Sequence, residues 1–146
     1  MADYDLCRVG GDAPLADAHA VRQSVFIDEQ DVPEAIEMDG KDGDAIHFVG
    51  YDTEKNRPVG TARLRVVDVE TAKIERVAVR AEHRSRGLGK RLMETVEDEA
   101  RKQGCTRVRL HAQTSVESFY HALGYETASD RFEQAGIPHV EMIKAL

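Results

Sequence analysis

The sequence predicts a single α+β domain. Three observations lead there: a chain of one-domain length, β-branched runs grouped mid-chain, and helical periodicities that do not alternate regularly with strands. At 146 residues, 41% hydrophobic and 32% charged, the chain has apolar material for one continuous core and no room for a separate cofactor domain. Its composition favours neither disorder nor a repeat polymer.

Leu6 to Val9 reads as a first strand closed by Gly10 and Gly11, with Asp12 placed to cap a helix that carries Pro14 in its first turn. Leu15, Ala18, Val21, Val25 and Phe26 recur at helical spacing as far as Gln30, and Pro33 prevents simple continuation. The acidic segment from Asp31 to Asp44 has little apolar periodicity and reads as a surface loop of a length that is often functional. Ile46 to Tyr51 and Val59 to Val69 flank a turn-rich stretch and predict an antiparallel hairpin. Lys73 to Arg80 is a third strand run. Leu88, Leu92, Met93, Val96 and Ala100 then mark one face of a second helix ending at Gly104. Arg107 to His111 is a strand, and Val116 to Leu123 fits a short helix stopped by Gly124. Strands follow around Tyr125 and from His139 to Ile143, so the expected order is βαβββαβαββ.

Twenty-seven acids against 20 Lys and Arg give a net charge of -7, which excludes a general binder of nucleic acid or membrane surface. Arg outnumbers Lys fourteen to six, a bias that a high-salt cytoplasm and a GC-rich genome explain equally well. No run approaches the roughly 18 apolar residues of a membrane span. Met1 to Asp5 carries acids where a secretory signal would be basic, so a cytoplasmic location is expected. Cys7 and Cys105 are too few for a disulfide framework and too distant for metal-ligand spacing, and are expected as buried, reduced thiols. The run from Asp39 to Asp44 lacks the ordered acids of a calcium loop, so no metal is expected.

The most specific segment runs from Val77 to Arg91, where a strand leads into glycines that open a helix. Glycines let a ligand approach main-chain N–H groups, and a helix N-terminus adds unpaired donors and partial positive charge, a combination suited to phosphate. Arg80, Arg84, Arg86, Lys90 and Arg91 face the single acid Glu82 here, a local reversal of the chain's acidity that a bound polyanion would require. A Walker loop is excluded because Gly89-Lys90 is followed by Arg91 and Arg84 stands where the earlier glycine belongs. A dinucleotide fingerprint is excluded by Leu92 at its last glycine position.

Arg84-x-x-Gly87-x-Gly89, preceded by Val77-Ala78-Val79, resembles the acyl-CoA diphosphate loop of the GNAT superfamily of N-acetyltransferases. Phe119-Tyr120 with Gly124-Tyr125 is similar to a second element of that superfamily. The strings VFIDEQDVPE, KIERVAV, LHAQ and GIPHVEM resemble its ElaA-like branch. The resemblance implies a GNAT fold: a mixed, mostly antiparallel sheet flanked by helices and splayed between Lys73–Arg80 and Arg107–His111, where the pantetheine arm of coenzyme A (CoA) lies. It implies CoA binding by Val77, Val79, Arg84, Arg86, Gly87, Leu88, Gly89 and Lys90. Acetyl transfer to a small-molecule or peptide amine in a ternary complex follows, and a homodimer is compatible with it.

Three chemical tasks come with that reaction: a neutral amine, a stabilised oxyanion and a leaving thiolate that is protonated. Tyr120 matches the family's general acid, and its ordinary pKa of about 10 suits protonation of a thiolate. The Val79 N–H is a partner for the thioester carbonyl. Glu75, two residues before Val77 on what reads as the same strand face, is the first candidate base, and a salt bridge to a neighbouring Arg is its structural alternative. His111 is the second candidate base. Glu34, Glu37, Asp39, Asp42 and Asp44 either attract a cationic amine or form a solvated loop, and His47 either lines the acceptor pocket or packs at a strand end. A CoA-binding sensor without catalysis and a protein-interaction module are the alternatives to an enzyme.

Overall fold

The computed structural model describes residues 4–146. β1 (Tyr4–Arg8) leads to α1 (Leu15–Arg22), which continues as a π-helical segment, Gln23–Glu29. α2 (Glu34–Glu37) and a 3-10 turn (Asp42–Asp44) precede β2 (Ile46–Asp52), β3 (Arg57–Val66) and β4 (Thr71–Val79). Then come a 3-10 turn (Ala81–His83), α3 (Leu88–Lys102), β5 (Arg107–Gln113), a 3-10 turn (Thr114–Val116) and α4 (Glu117–Ala122). β6 (Glu126–Thr127), β7 (Phe132–Gln134) and β8 (Ile137–Ala145) end the chain. The expected order holds, with α2 and β7 added.

The eight strands form one sheet in the order β1-β2-β3-β4-β5-β8-β6, with β7 against β8, and only β4 and β5 run parallel. α3 lays Leu88, Leu92, Met93, Val96 and Ala100 onto one face of the sheet, where Phe48, Leu64, Ile74, Val108 and Leu110 complete the main core. The packing is close enough that a Cβ on Gly60 would stand 2.9 Å from Leu88 Cδ2 and 3.0 Å from Leu92 Cδ1, so a larger residue would push these buried leucines aside. α1 and the π-helical segment cover the other face through Ala18, Val21 and Val25, against Val49 and Ala78.

Several local expectations give way. Asp12 does not cap α1: the helix starts after Pro14 with no side-chain cap. The region 31–44 is not a bare loop but carries α2 and a 3-10 turn. Cys105 is buried and Cys7 only partly so, both as free thiols. Among the described residues no helix is long and apolar enough to cross a membrane.

Candidate active site

β4 and β5 pair for four residues, from Thr71 with Arg107 to Ile74 with Leu110, and then part. The cause lies within β4. Thr61 pairs with Ala78 and Arg63 with Glu75, so two steps along β3 oppose three along β4, and Arg76 absorbs the extra residue at a positive φ of 55°. Such a bulge bends its strand, and here it comes directly after the last residue paired with β5. Arg80 donates its N–H to Val59 on β3. By alternation the amides of Val77 and Val79 turn the other way, toward the gap. The splay that the resemblance implied is therefore present, and a cleft of about 400 Å³ runs through it, walled by β4, β5, the π-helical segment, α2 and the β7–β8 hairpin.

At the far end of β4 the chain turns through Ser85 (φ 63°) and Gly87 (φ 83°) into α3. Gly87 occupies the left-handed region that glycine enters without steric cost. Among the described residues, the N–H groups from Ser85 to Lys90 meet no acceptor: the first main-chain bond of the helix runs from Arg91 N to Gly87 O at 3.1 Å. Six adjacent donors at a helix N-terminus form a cradle for an anion. The Leu88 side chain is buried in the core, so this residue offers the cradle only its amide.

The loop cations divide into two groups. Arg84 does not reach over the cradle. It holds Glu29 with both terminal nitrogens at 2.7 Å and donates from Nε to Val79 O at 2.9 Å, which braces the end of α1 against β4. Arg80 donates to Pro58 O, and Arg91 to Tyr4 O. Arg86 and Lys90 stay exposed with no ion pair or hydrogen bond among the described residues, free to meet a phosphate.

Tyr120 enters the cleft from α4. Its ring is edge-on to Phe119 and Tyr125, and its hydroxyl makes no hydrogen bond among the described residues. Burial pushes its pKa up to about 12, so it keeps its proton throughout the neutral range.

Glu75 does not share a face with Val77. The bulge lies between them, so Val77 joins Ile74 against the α3 core while Glu75 turns to the α1 side with Ala78. Its carboxylate is gripped by Arg65 Nε, by Arg63 Nη2 at 3.2 Å and by Lys73 Nζ at 3.6 Å. Burial works to raise its pKa, but the Arg65 hydrogen bond and the charges of Arg63 and Lys73 prevail, leaving a carboxyl below its ordinary value.

His111 lies on β5 at the cleft wall, with Nδ1 3.0 Å from Gln134 Oε1, its ring edge-on to Phe132, and Nε2 3.9 Å from Glu141. Burial, then the nearby charge of Lys73, holds its pKa below the ordinary imidazole value.

Three of the five acids in the acidic stretch are taken up by arginines. Arg22, fully buried, donates from Nε to both oxygens of Glu37 at 2.9 and 3.1 Å and from Nη1 to Asp42 at 2.8 Å. Arg63, also fully buried, binds Asp39 at 2.7 and 2.9 Å and Asp42 at 3.0 Å. Arg76, on the bulge, reaches Glu37 at 2.7 Å and Asp39 at 3.3 Å. These bonds tie α1 and α2 to the sheet, and only Glu34 and Asp44 of the five acids remain exposed. His47 is buried against the main-chain oxygen of Asp42 at 3.0 Å, away from the cleft.

Sequence reasoning missed the β7–β8 hairpin, which brings Gln134, Ile137 and His139 to the cleft. Its signal was present: Ala135-Gly136, both at positive φ, make a two-residue turn ending in Gly between extended residues.

The chain matches the acetyltransferase (GNAT) domain over residues 14–146. It is 42% identical over 131 residues to the uncharacterised N-acetyltransferase YjcF of Bacillus subtilis, covering 89% of this chain and 91% of that protein. ElaA of Escherichia coli is 31% identical over 128 residues, covering 85% and 82% of the two chains. The crystal structure of ElaA superposes with a TM-score of 0.82 at 26% identity over 99% of both chains. An aminoglycoside 6'-N-acetyltransferase solved with coenzyme A shares the fold at a TM-score of 0.73 and 14% identity, covering 97% of this chain and 96% of its own. The parted strands, the amide cradle and these likenesses together make this chain a member of the GNAT acetyltransferase family.

Proposed function

We propose that the chain transfers the acetyl group of acetyl-CoA directly to a primary amine while both are bound. The observation that carries this reading is the gap between β4 and β5, with unpaired amides along its length and at its end. Main-chain donors left open along a strand are a template for pairing, and an extended ligand arm would satisfy them as a further strand does.

Val77 and Val79 would hold the pantetheine arm. The amides from Gly87 to Lys90, with the side chains of Arg86 and Lys90, would hold the diphosphate, and Arg84 braces the loop through Glu29. When bound, acetyl-CoA supplies an acyl group already activated as a thioester. The Val79 amide is the donor available to the thioester carbonyl. Tyr120, protonated and without another partner, donates its hydroxyl proton to the departing sulfur.

Proton removal from the amine falls to His111 in this reading. Donation from Nδ1 to Gln134 Oε1 leaves the lone pair on Nε2, and the lowered pKa keeps the ring neutral near pH 7. Glu75 is too heavily paired to be a strong base and serves as a counter-ion in the cleft wall.

Calorimetry with CoA, followed by thiol release from acetyl-CoA with a panel of amines, tests the reading on wild type and Tyr120→Phe. Both proteins are expected to bind CoA, with turnover in the variant lower by roughly 10²- to 10⁴-fold, the range of a lost proton donor. Unchanged turnover in Tyr120→Phe removes the hydroxyl from the mechanism. Absence of CoA binding removes the reading.

A further inference from the structure

We propose that the acceptor amine belongs to a small molecule that also carries an anionic group, docked on a row of cations crossing the sheet at the apex of the cleft. The proposal rests on the acetyl-transfer reading and names the chemistry of its second substrate.

Three strands place the row. Arg65 on β3 is the register partner of Lys73 on β4, and Lys73 is the partner of Arg109 on β5. Directly opposed side chains in a sheet share a face, and like charges in that relation repel. Ala72, Ile74, Val108 and Leu110 point into the α3 core, so Lys73 and Arg109 point to the face that the cleft opens on. Lys73 lines the cleft, and His111, two residues beyond Arg109 on the same face of β5, lines it as well.

The row has too few acids. Glu75 binds Arg65 and sits 3.6 Å from Lys73, but it also answers Arg63. Arg109 has no hydrogen bond or ion pair among the described residues, and its Nε is buried without a partner. Glu141 on β8 shares this face and is directed at His111, 3.9 Å away. Asp39 is taken up by Arg63 and Arg76. Burial leads in depressing the Lys73 pKa; Glu75 opposes it, and the charges of Arg65, Arg109 and Lys41 add to the depression. A chain of net charge -7 thus gathers three cations around the single acid Glu75, and Lys73 brings that cluster to the cleft wall.

The location fixes the ligand's shape. β4 and β5 part after Ile74 and Leu110, and the Lys73–Arg109 pair stands one strand step behind, about 3.3 Å. A carboxylate or phosphate on those cations leaves an amine a few atoms away within reach of His111, which describes a compact amino acid or amino phosphate. A polyamine, a long peptide held by its side chains or an aminoglycoside leaves the row unanswered.

The test compares matched amines in the thiol-release assay: β-alanine against propylamine for the carboxylate, and phosphoethanolamine against ethanolamine for the phosphate. The anionic member of at least one pair is expected to show a kcat/KM higher by about tenfold or more, the factor one hydrogen bond between charged groups supplies. The pair that responds identifies the anion. Lys73→Met and Arg109→Met are expected to raise KM for that amine and erase the preference, with CoA affinity by calorimetry unchanged. Arg109→Met is also expected to leave the urea midpoint equal or higher, because it relieves repulsion; a purely structural arginine would lower it. Equal use of both members, preference for the neutral ones, or no turnover of the anionic ones by protein that binds CoA overturns the proposal and leaves the acetyl-transfer reading standing. Protein that does not bind CoA takes both down.

Discussion

On the cradle side of the cleft the chain presents main-chain amides, with two free cations nearby and hardly any side-chain bonding. On the α2 side it presents the reverse, a web in which Arg22, Arg63 and Arg76 neutralise Glu37, Asp39 and Asp42. The cradle holds its shape through local backbone conformation, whereas the web holds its shape through long-range charge pairing. One side should therefore respond to substitution mainly in ligand affinity, and the other mainly in stability.

The sharpest separation is expected from Arg63→Met. It removes the buried guanidinium that Asp39, Asp42 and Glu75 share, leaving Asp39 with Arg76 at 3.3 Å, Asp42 with Arg22 and Glu75 with Arg65, and should cost about 3 kcal/mol, the low end of the penalty for halving a buried ion pair. Urea denaturation measures it, and a loss below about 1 kcal/mol would make the web no more than a surface feature.

Acid should act on the same region. The hydrogen bond from Arg63 leads in holding Asp39 far below the ordinary carboxyl range. Burial alone would raise Asp42, yet bonds from Arg22, His19 and Arg63 bring it just as low. A carboxyl lowered on folding adds stability that is full above its unfolded value, near pH 4, and drains as pH falls through the folded value. Urea midpoints are expected to hold from pH 7 to about 5 and decline steadily below about 4, with a shallower decline in Arg63→Met.

The cradle should answer to Gly89→Asp. It places negative charge at the helix start, and its Cβ would meet Phe119 Cζ at 3.3 Å, a contact that small ring movement absorbs. CoA affinity is expected to fall by at least about tenfold. The urea midpoint without CoA should move much less, and an equal loss of both would erase the contrast between the two sides. Arg86→Ala is the mildest change, weakening CoA binding by roughly three- to tenfold with an unchanged midpoint. Arg84→Ala, which breaks the exposed brace to Glu29, should instead shift stability by about 0–1 kcal/mol.

The same contrast governs what could be read from the residues alone. Gly87 and Gly89 announce a turn because their role depends on a few neighbours, and Leu88 to Ala100 announce α3 by period. Arg22 and Glu37 are 15 residues apart, and Arg63 and Asp39 are 24 apart, so their pairing exists only once α1, α2 and β3 are folded together. The face of Glu75 was misjudged because Arg76 is not a glycine and gives no hint of its left-handed backbone. The first helix was correct in extent, but periodicity does not distinguish α1 from the π-helical segment that continues it.

Arg76 is one residue more than the ladder with β3 requires. Excising it would keep every later side chain on the side it now occupies, while straightening β4 and allowing it to run on beside β5. The shortened protein would gain hydrogen bonds and lose its crevice. In the proposed reading, a doorway for a nucleotide-tailed thioester is thus written into this sheet as a single surplus amino acid.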